Sequence, residues 1–245
     1  MMTIEDLKVK LYADGADLAD LLAVASDPRI SGFTTNPTLM RRAGVSDYES
    51  FARDVLSEIT TRPVSFEVFS DELDEMRRQA LAIASWGPNV YVKIPVTNTR
   101  AEWTDGLVRE LSREGVQVNV TALTTVAQVD RVARALEGGA PSNISVFAGR
   151  VADTGTDPIP LMREALAAAA QAARAEVIWA SPRELLNIFQ ADEIGCHIIT
   201  VTHDILAKLD LVGKDLDEFS LDTVKMFHSD ASVAGFTIDV PKPSR

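Results

Sequence analysis

With 245 residues, 46% of them hydrophobic and 24% charged, the chain can bury a large core and lacks the composition of an intrinsically disordered segment. A net charge of −12 argues against electrostatic capture by nucleic acid or an anionic membrane, and a single cysteine, Cys196, excludes a disulfide framework and a four-cysteine zinc site. Residues 1–10 hold no apolar signal core and runs such as 165–170 are too short to span a bilayer, so a soluble, cytoplasmic protein is expected.

Eight short runs rich in branched residues are expected as strands. The first, residues 9–14, ends on Asp14, with Asp17 placed to cap the next helix. The second, 30–35, leads into Thr34-Thr35-Asn36-Pro37. Residues 47–60 carry Tyr48, Phe51, Val55 and Ile59 at helical spacing. The third run, 64–69, sets Glu67 between Phe66 and Val68, and 71–85 is again helical. Lys93 lies in the fourth run, 90–94, and Asn119 in the fifth, 116–120. The sixth, 144–147, holds Ser145 and Phe147, and the alanine-rich segment 158–173 predicts a helix. The seventh and eighth are 176–180 and 198–201; helical segments 204–211 and 222–232 follow, and 241–245 reads as a loose end.

Strands alternating with helices at this spacing predict parallel pairing under a helical cover. Eight such units predict one (β/α)₈ barrel domain over residues 1–245, with a helical tail from about residue 204. Barrels of this class keep their chemistry at the carboxyl ends of the strands. Nearly every run here has a polar residue at or just beyond that end: Asp14, Asn36, Glu67, Lys93, Asn119, Ser145, Arg150 and Arg183. Residues two apart on a strand share a face, so Thr34 can join Asn36, Thr121 can join Asn119, and Ser181 can join Arg183.

Lys93 is the only lysine between Leu11 and Ala207. A lysine on an exposed strand edge would guard against aggregation, but a closed barrel has no edge. Burial there would disfavour the charged form and leave a share of free amine, as a carbonyl nucleophile requires. Asp14 and Glu67 add two carboxylates suited to proton transfer, although Asp14 also fits a turn and Glu67 a buried salt bridge. Arg150 and Arg183 suit a phosphate near the last strands; the alternative is a surface pair with Asp153 or Glu184. Asn36 also fits a turn before proline. Cys196, His197, His203 and Asp204 lack metal-site spacing, so no metal is expected. Phe66, Phe69 and Phe147 are expected in the core.

The order and spacing of Thr34-Thr35-Asn36-Pro37-Thr38-Leu39, Val92-Lys93-Ile94-Pro95-Val96-Thr97, Asn119-Val120-Thr121, Ser145-Val146-Phe147-Ala148-Gly149-Arg150 and Ala180-Ser181-Pro182-Arg183 resemble the transaldolase family. The resemblance covers roughly residues 11–206 and is nearest the compact branch that includes fructose-6-phosphate aldolases. It implies a lysine imine on Lys93, with Glu67 and a water assisting dehydration and Asp14 taking the C4 hydroxyl proton. It further implies that Asn36, Asn119 and Ser145 hold the dihydroxyacetone unit. Thr34 and Thr121 would position water and neighbouring side chains, while Ser181, Arg150 and Arg183 lie in the phosphate-binding region. Sugar phosphates would be the substrates, with no metal or organic cofactor and a ring-forming homo-oligomer. Glu67 and Phe147 resemble the transferase set, where the aldolases carry glutamine and tyrosine. Departures stand at Gly15, where a small hydroxyl residue is usual, and at Thr202-His203-Asp204. They bear on substrate preference more than on reaction type; the alternatives are an aldolase, an enzyme for an unusual sugar, or a non-catalytic sugar-phosphate-binding barrel.

Overall fold

Short apolar runs bounded by polar turns form eight strands in the computed structural model, which describes residues 4–240. They are β1 (Lys10–Asp14), β2 (Ile30–Thr34), β3 (Val64–Glu67), β4 (Val90–Pro95), β5 (Val118–Leu123), β6 (Ser142–Val146), β7 (Ala175–Trp179) and β8 (Ile198–Thr202). Each pairs in parallel with its neighbours in sequence, and β8 returns to β1, closing the barrel. The helices are α1 (Leu18–Ala25), α2 (Pro37–Arg42), α3 (Tyr48–Glu58), α4 (Leu73–Ala84), α5 (Asp105–Arg113), α6 (Val126–Leu136), α7 (Ala148–Ala152), α8 (Pro158–Ala169), α9 (Leu186–Glu193), α10 (His203–Leu206) and α11 (Leu216–Val233). The expected (β/α)₈ architecture with an additional C-terminal helix is present.

Local chemistry starts the helices where the topology needs them. Asn36 accepts from the Leu39 N–H and Pro37 opens α2, so β2 turns directly into a helix. Thr125 and Gln128 form a reciprocal capping box at the start of α6. Asp17 caps α1 as its spacing predicts.

The core has two parts, and the division decides where chemistry can sit. Leu11, Ala13, Phe33, Phe66, Val92, Ile94, Val118 and Val120 belong to the large cluster that joins strands to helices. Alternate positions point into the barrel, where a small separate cluster holds Tyr12, Ile178, Ala180 and Ile198. A fully buried branched side chain contributes about 1.5–3 kcal/mol, so the larger outer cluster carries most of the apolar stabilisation. The interior can then hold Thr34, Ser65, Lys93, Asn119, Thr121, Asn143, Ser145 and Thr200, all buried. Gly32 makes room for this arrangement: a Cβ there would lie 2.5 Å from the Tyr12 ring.

Several segments depart from the sequence expectation: β3 stops two residues short of the expected run, β6 starts two residues before it, and β5 and the tail differ further. β5 starts two residues later than expected and runs on to Leu123, with a register irregularity between Val120 and Leu123 and Ala122 at φ 67°. Such a bulge re-aims side chains at a strand end. The tail also differs: residues 204–211 split into α10 and a short 3₁₀ turn (Leu209–Leu211), and α11 starts earlier, where Asp215 accepts from the N–H groups of Asp217 and Glu218. The segment 241–245, read as a loose end, lies outside the described residues. Among the described residues no helix is long and apolar enough to cross a membrane.

Candidate active site

Strand register sets the centre of the site. Glu67, Lys93 and Asn119 are successive Cα partners across β3, β4 and β5, so their side chains share one level inside the barrel. A cavity of about 470 Å³ opens above them at the carboxyl ends of the strands. All twelve residues singled out in the sequence line it: Asp14, Thr34, Asn36, Glu67, Lys93, Asn119, Thr121, Ser145, Phe147, Arg150, Ser181 and Arg183.

Lys93 is 6% exposed. Its Nζ donates to the Thr35 carbonyl oxygen at 2.7 Å and lies 3.3 Å from Glu67 Oε2. A closed sheet covered on both faces gives this side chain no route to bulk water except through the cavity. Glu67 is fixed from behind: the Tyr48 hydroxyl accepts from its N–H and donates to its carbonyl. Tyr48 in turn packs against the rings of Phe66, Phe69 and Trp86.

Asp14 Oδ1 accepts from the Thr34 hydroxyl at 2.8 Å, and Oδ2 from Asn36 Nδ2 at 3.3 Å. Burial pushes this carboxyl above the ordinary carboxylate range; the nearby Lys93 and the Thr34 and Asn36 hydrogen bonds pull the other way, and Glu67 adds to the rise. Asn36 serves twice, since its Oδ1 caps α2 while its amide nitrogen faces Asp14. Asn119 is held on both sides, donating to Ser65 Oγ at 3.1 Å and accepting from Ser145 Oγ at 2.7 Å. Thr121 Oγ1 is buried and has no partner among the described residues, which makes it a place where a water or substrate hydroxyl can bind.

The last strands supply the cationic side. Arg150 lies on α7 with its guanidinium 5.8 Å from the Phe147 ring centroid. Arg183 Nε donates to Asp153 Oδ1 at 2.9 Å, its side chain also pairs with Asp153 Oδ2, and its own N–H donates to Asn187 Oδ1. The pairing with Asp153 that the sequence left open is therefore present, and Arg183 also lines the cavity. Gly149 allows these two segments to touch, because a Cβ there would meet the Ser181 carbonyl oxygen at 1.5 Å. Ser181 itself takes φ 61°.

One expectation needs correcting. Phe66 is fully buried, but Phe69 is 53% exposed and lies against Tyr48, outside the core. β3 ends at Glu67, so Phe69 has already left the packed layers. Phe147 is partly buried between the Tyr12 cluster and the cavity. Sequence reasoning missed Tyr48, Ser65, Arg42 and Thr200. Thr200 could have been found, since it lies two residues before Thr202 on one strand face. Tyr48 could not, because an aromatic on an apolar helix stripe signals only packing.

The site brings an amine, two carboxyls, hydroxyls, amides and arginines around one space, a set able to attack a carbonyl, move protons and hold an anionic substrate. The family model described as transaldolase/fructose-6-phosphate aldolase matches residues 11–240. A protein of Streptococcus agalactiae named "Probable transaldolase" is 36% identical over 220 residues, covering 87% of this chain and 97% of its own length. A "Probable transaldolase 2" of Listeria monocytogenes is 34% identical over 220 residues, covering 87% and 95%. A "Probable transaldolase" of Dehalococcoides mccartyi is 34% identical over 202 residues, covering 82% and 90%. With its barrel, its cavity and these relatives in agreement, the chain belongs to the transaldolase/fructose-6-phosphate aldolase family.

Proposed function

We propose that this protein is a transaldolase that moves a dihydroxyacetone unit from a ketose phosphate to an aldose phosphate through an imine on Lys93. Fructose 6-phosphate or sedoheptulose 7-phosphate is the donor. The observation that carries this reading is the buried Lys93 Nζ, 3.3 Å from Glu67 and in one cavity with Asp14.

The Lys93 amine adds to the ketone carbon and forms a C–N bond. Glu67 and a water held at the open Thr121 hydroxyl shuttle the protons that let the carbinolamine lose water. Asp14 then takes the proton of the C4 hydroxyl; the C3–C4 bond breaks and its electron pair moves to the iminium nitrogen, giving an enamine and a free aldose phosphate. The acceptor aldehyde is attacked by the enamine carbon while Asp14 returns the proton, and hydrolysis frees Lys93. Asn36, Asn119 and Ser145 hold the retained hydroxyls, with Thr34 orienting Asp14. Arg150, Arg183 and Ser181 bind the phosphate, and Phe147 walls the cavity between them. The imine itself serves as the electron sink, so the cycle needs no metal or organic cofactor.

Glu67 and Phe147 support transfer over release of free dihydroxyacetone. Purified protein given fructose 6-phosphate and erythrose 4-phosphate is expected to form sedoheptulose 7-phosphate and glyceraldehyde 3-phosphate. Dihydroxyacetone as the main product would contradict transfer in favour of aldol cleavage. We also infer a homo-oligomer, from the apolar side chains that α11 leaves exposed, among them Phe219, Val224 and Phe227; a cytoplasmic, single-domain subunit is the reading that the family assignment favours.

A further inference from the structure

Thr200, on β8, has one side-chain hydrogen bond in the structure. Its hydroxyl oxygen lies 2.6 Å from that of Thr34, and both side chains are buried. A hydroxyl carries a single proton. With Asp14 ionised, Thr34 donates its proton to Asp14 Oδ1 at 2.8 Å, so toward Thr200 it can only accept. The direction is thereby fixed: Thr200 donates to Thr34, and Thr34 donates to Asp14 Oδ1. The second carboxylate oxygen is treated differently. Among the described residues Oδ2 meets only Asn36 Nδ2, at 3.3 Å, beyond the usual range of a strong hydrogen bond. Asn36 cannot turn to improve that contact without releasing the α2 cap.

We propose that Thr200 is a positioning residue for proton transfer, acting through Thr34 to lock Asp14 Oδ1 and leave Oδ2 facing the sugar hydroxyl. The inference rests on the reading of Asp14 as the proton acceptor. In cleavage the C4 hydroxyl proton passes to Oδ2, the C3–C4 bond breaks, and the electron pair moves to the iminium nitrogen. In the return step the same proton leaves Oδ2 for the new hydroxyl. Thr200 and Thr34 keep their protons throughout, so the carboxyl holds one orientation in both halves of the cycle. Linked hydroxyls also polarise one another, which strengthens the bond that reaches the carboxylate.

A threonine that merely fills space would leave the titration of Asp14 untouched, and pH therefore separates the two roles. Inside the barrel Asp14 faces Lys93 from β4 and Glu67 from β3. At the rim its neighbouring cavity is lined by Arg42 of α2, Asp17 and Asp20 at the start of α1, and His203 and Asp204 of α10. Arg150 and Arg183 stand across the catalytic cavity. None of these changes in a Thr200 variant.

Thr200→Val keeps the shape and removes the hydroxyl. Its single-turnover rate of C3–C4 cleavage is expected to fall roughly 10-fold or more, the scale of a lost hydrogen bond feeding a charged group. The acid limb of the pH–rate profile should move to higher pH, because the carboxylate loses part of its stabilisation, while Thr200→Ser restores both. Borohydride trapping with fructose 6-phosphate should still label Lys93 in Thr200→Val, since imine formation precedes the Asp14 step. A valine variant with wild-type cleavage and an unmoved limb, alongside normal trapping, overturns the relay alone. Failure of the wild-type protein to trap overturns the Schiff-base reading and the relay with it. Should the valine variant not fold, the comparison of Thr200→Ala with Thr200→Ser decides the same question.

Discussion

Lys93 and Glu67 are Cα partners in the β3–β4 ladder, so backbone register alone brings amine and carboxylate together. Both lie on strands, the placement that the proposed role of Lys93 as nucleophile requires. Lys93→Ala is expected to abolish turnover with an unchanged circular dichroism spectrum; wild-type rates would remove Lys93 from the chemistry. Asp14 carries a measurable cost. Its folded carboxyl lies above the ordinary range because of burial, so the native state binds its proton more tightly than the unfolded chain does. The associated stabilisation is present below the ordinary carboxylate range and is lost as pH rises through the folded value. Asp14→Asn should therefore melt at a higher temperature than wild type near neutral pH while losing cleavage, with the difference shrinking as the medium becomes acid. A melting temperature lower than wild type at neutral pH would contradict that balance.

At the scale of elements, α7 and the turn after β7 approach closely at Gly149, where an added Cβ would meet the Ser181 carbonyl oxygen. Gly149→Ala must push backbone away from backbone, and overpacking of this kind costs about 1–3 kcal/mol. The same movement would separate Arg150 from Arg183. The variant should lose stability and show a raised KM for phosphorylated donors, and Arg183→Ala should raise that KM without the loss of stability. An unchanged KM in both would take the phosphate away from this side of the barrel. The strands and their polar ends were legible in the sequence because each element contributes its own local signal: branched residues, a cap, a polar residue at a strand terminus. Lys93 stood out as a charge inside an apolar run. Three things carried no such signal. The bulge that turns Thr121 depends on Ala122 at positive φ, which alanine does not advertise. Support of Glu67 by Tyr48 joins residues from different elements. The start of α11 rests on Asp215, one acidic residue among many.

The whole molecule combines a closed barrel with a helix that buries none of its own residues. So many exposed large apolar side chains on one helix suit an interface, and the net charge of −12 would favour separation of subunits unless apolar contact overcame it. Replacing Phe219 and Phe227 with aspartate should lower the mass measured by light scattering to that of one subunit; a wild-type protein that is already monomeric would contradict the oligomer. Under the proposed function, that same negative field makes the local arginines of the cavity necessary for an anionic sugar, and raising salt is expected to change donor binding more than the rate of chemistry. The central claim concerns one covalent bond. Incubation with fructose 6-phosphate and borohydride, followed by peptide mass mapping, is expected to place a reduced sugar adduct on Lys93 and to inactivate the protein in step. No adduct at any pH, or an adduct on another lysine with activity lost in parallel, would contradict it.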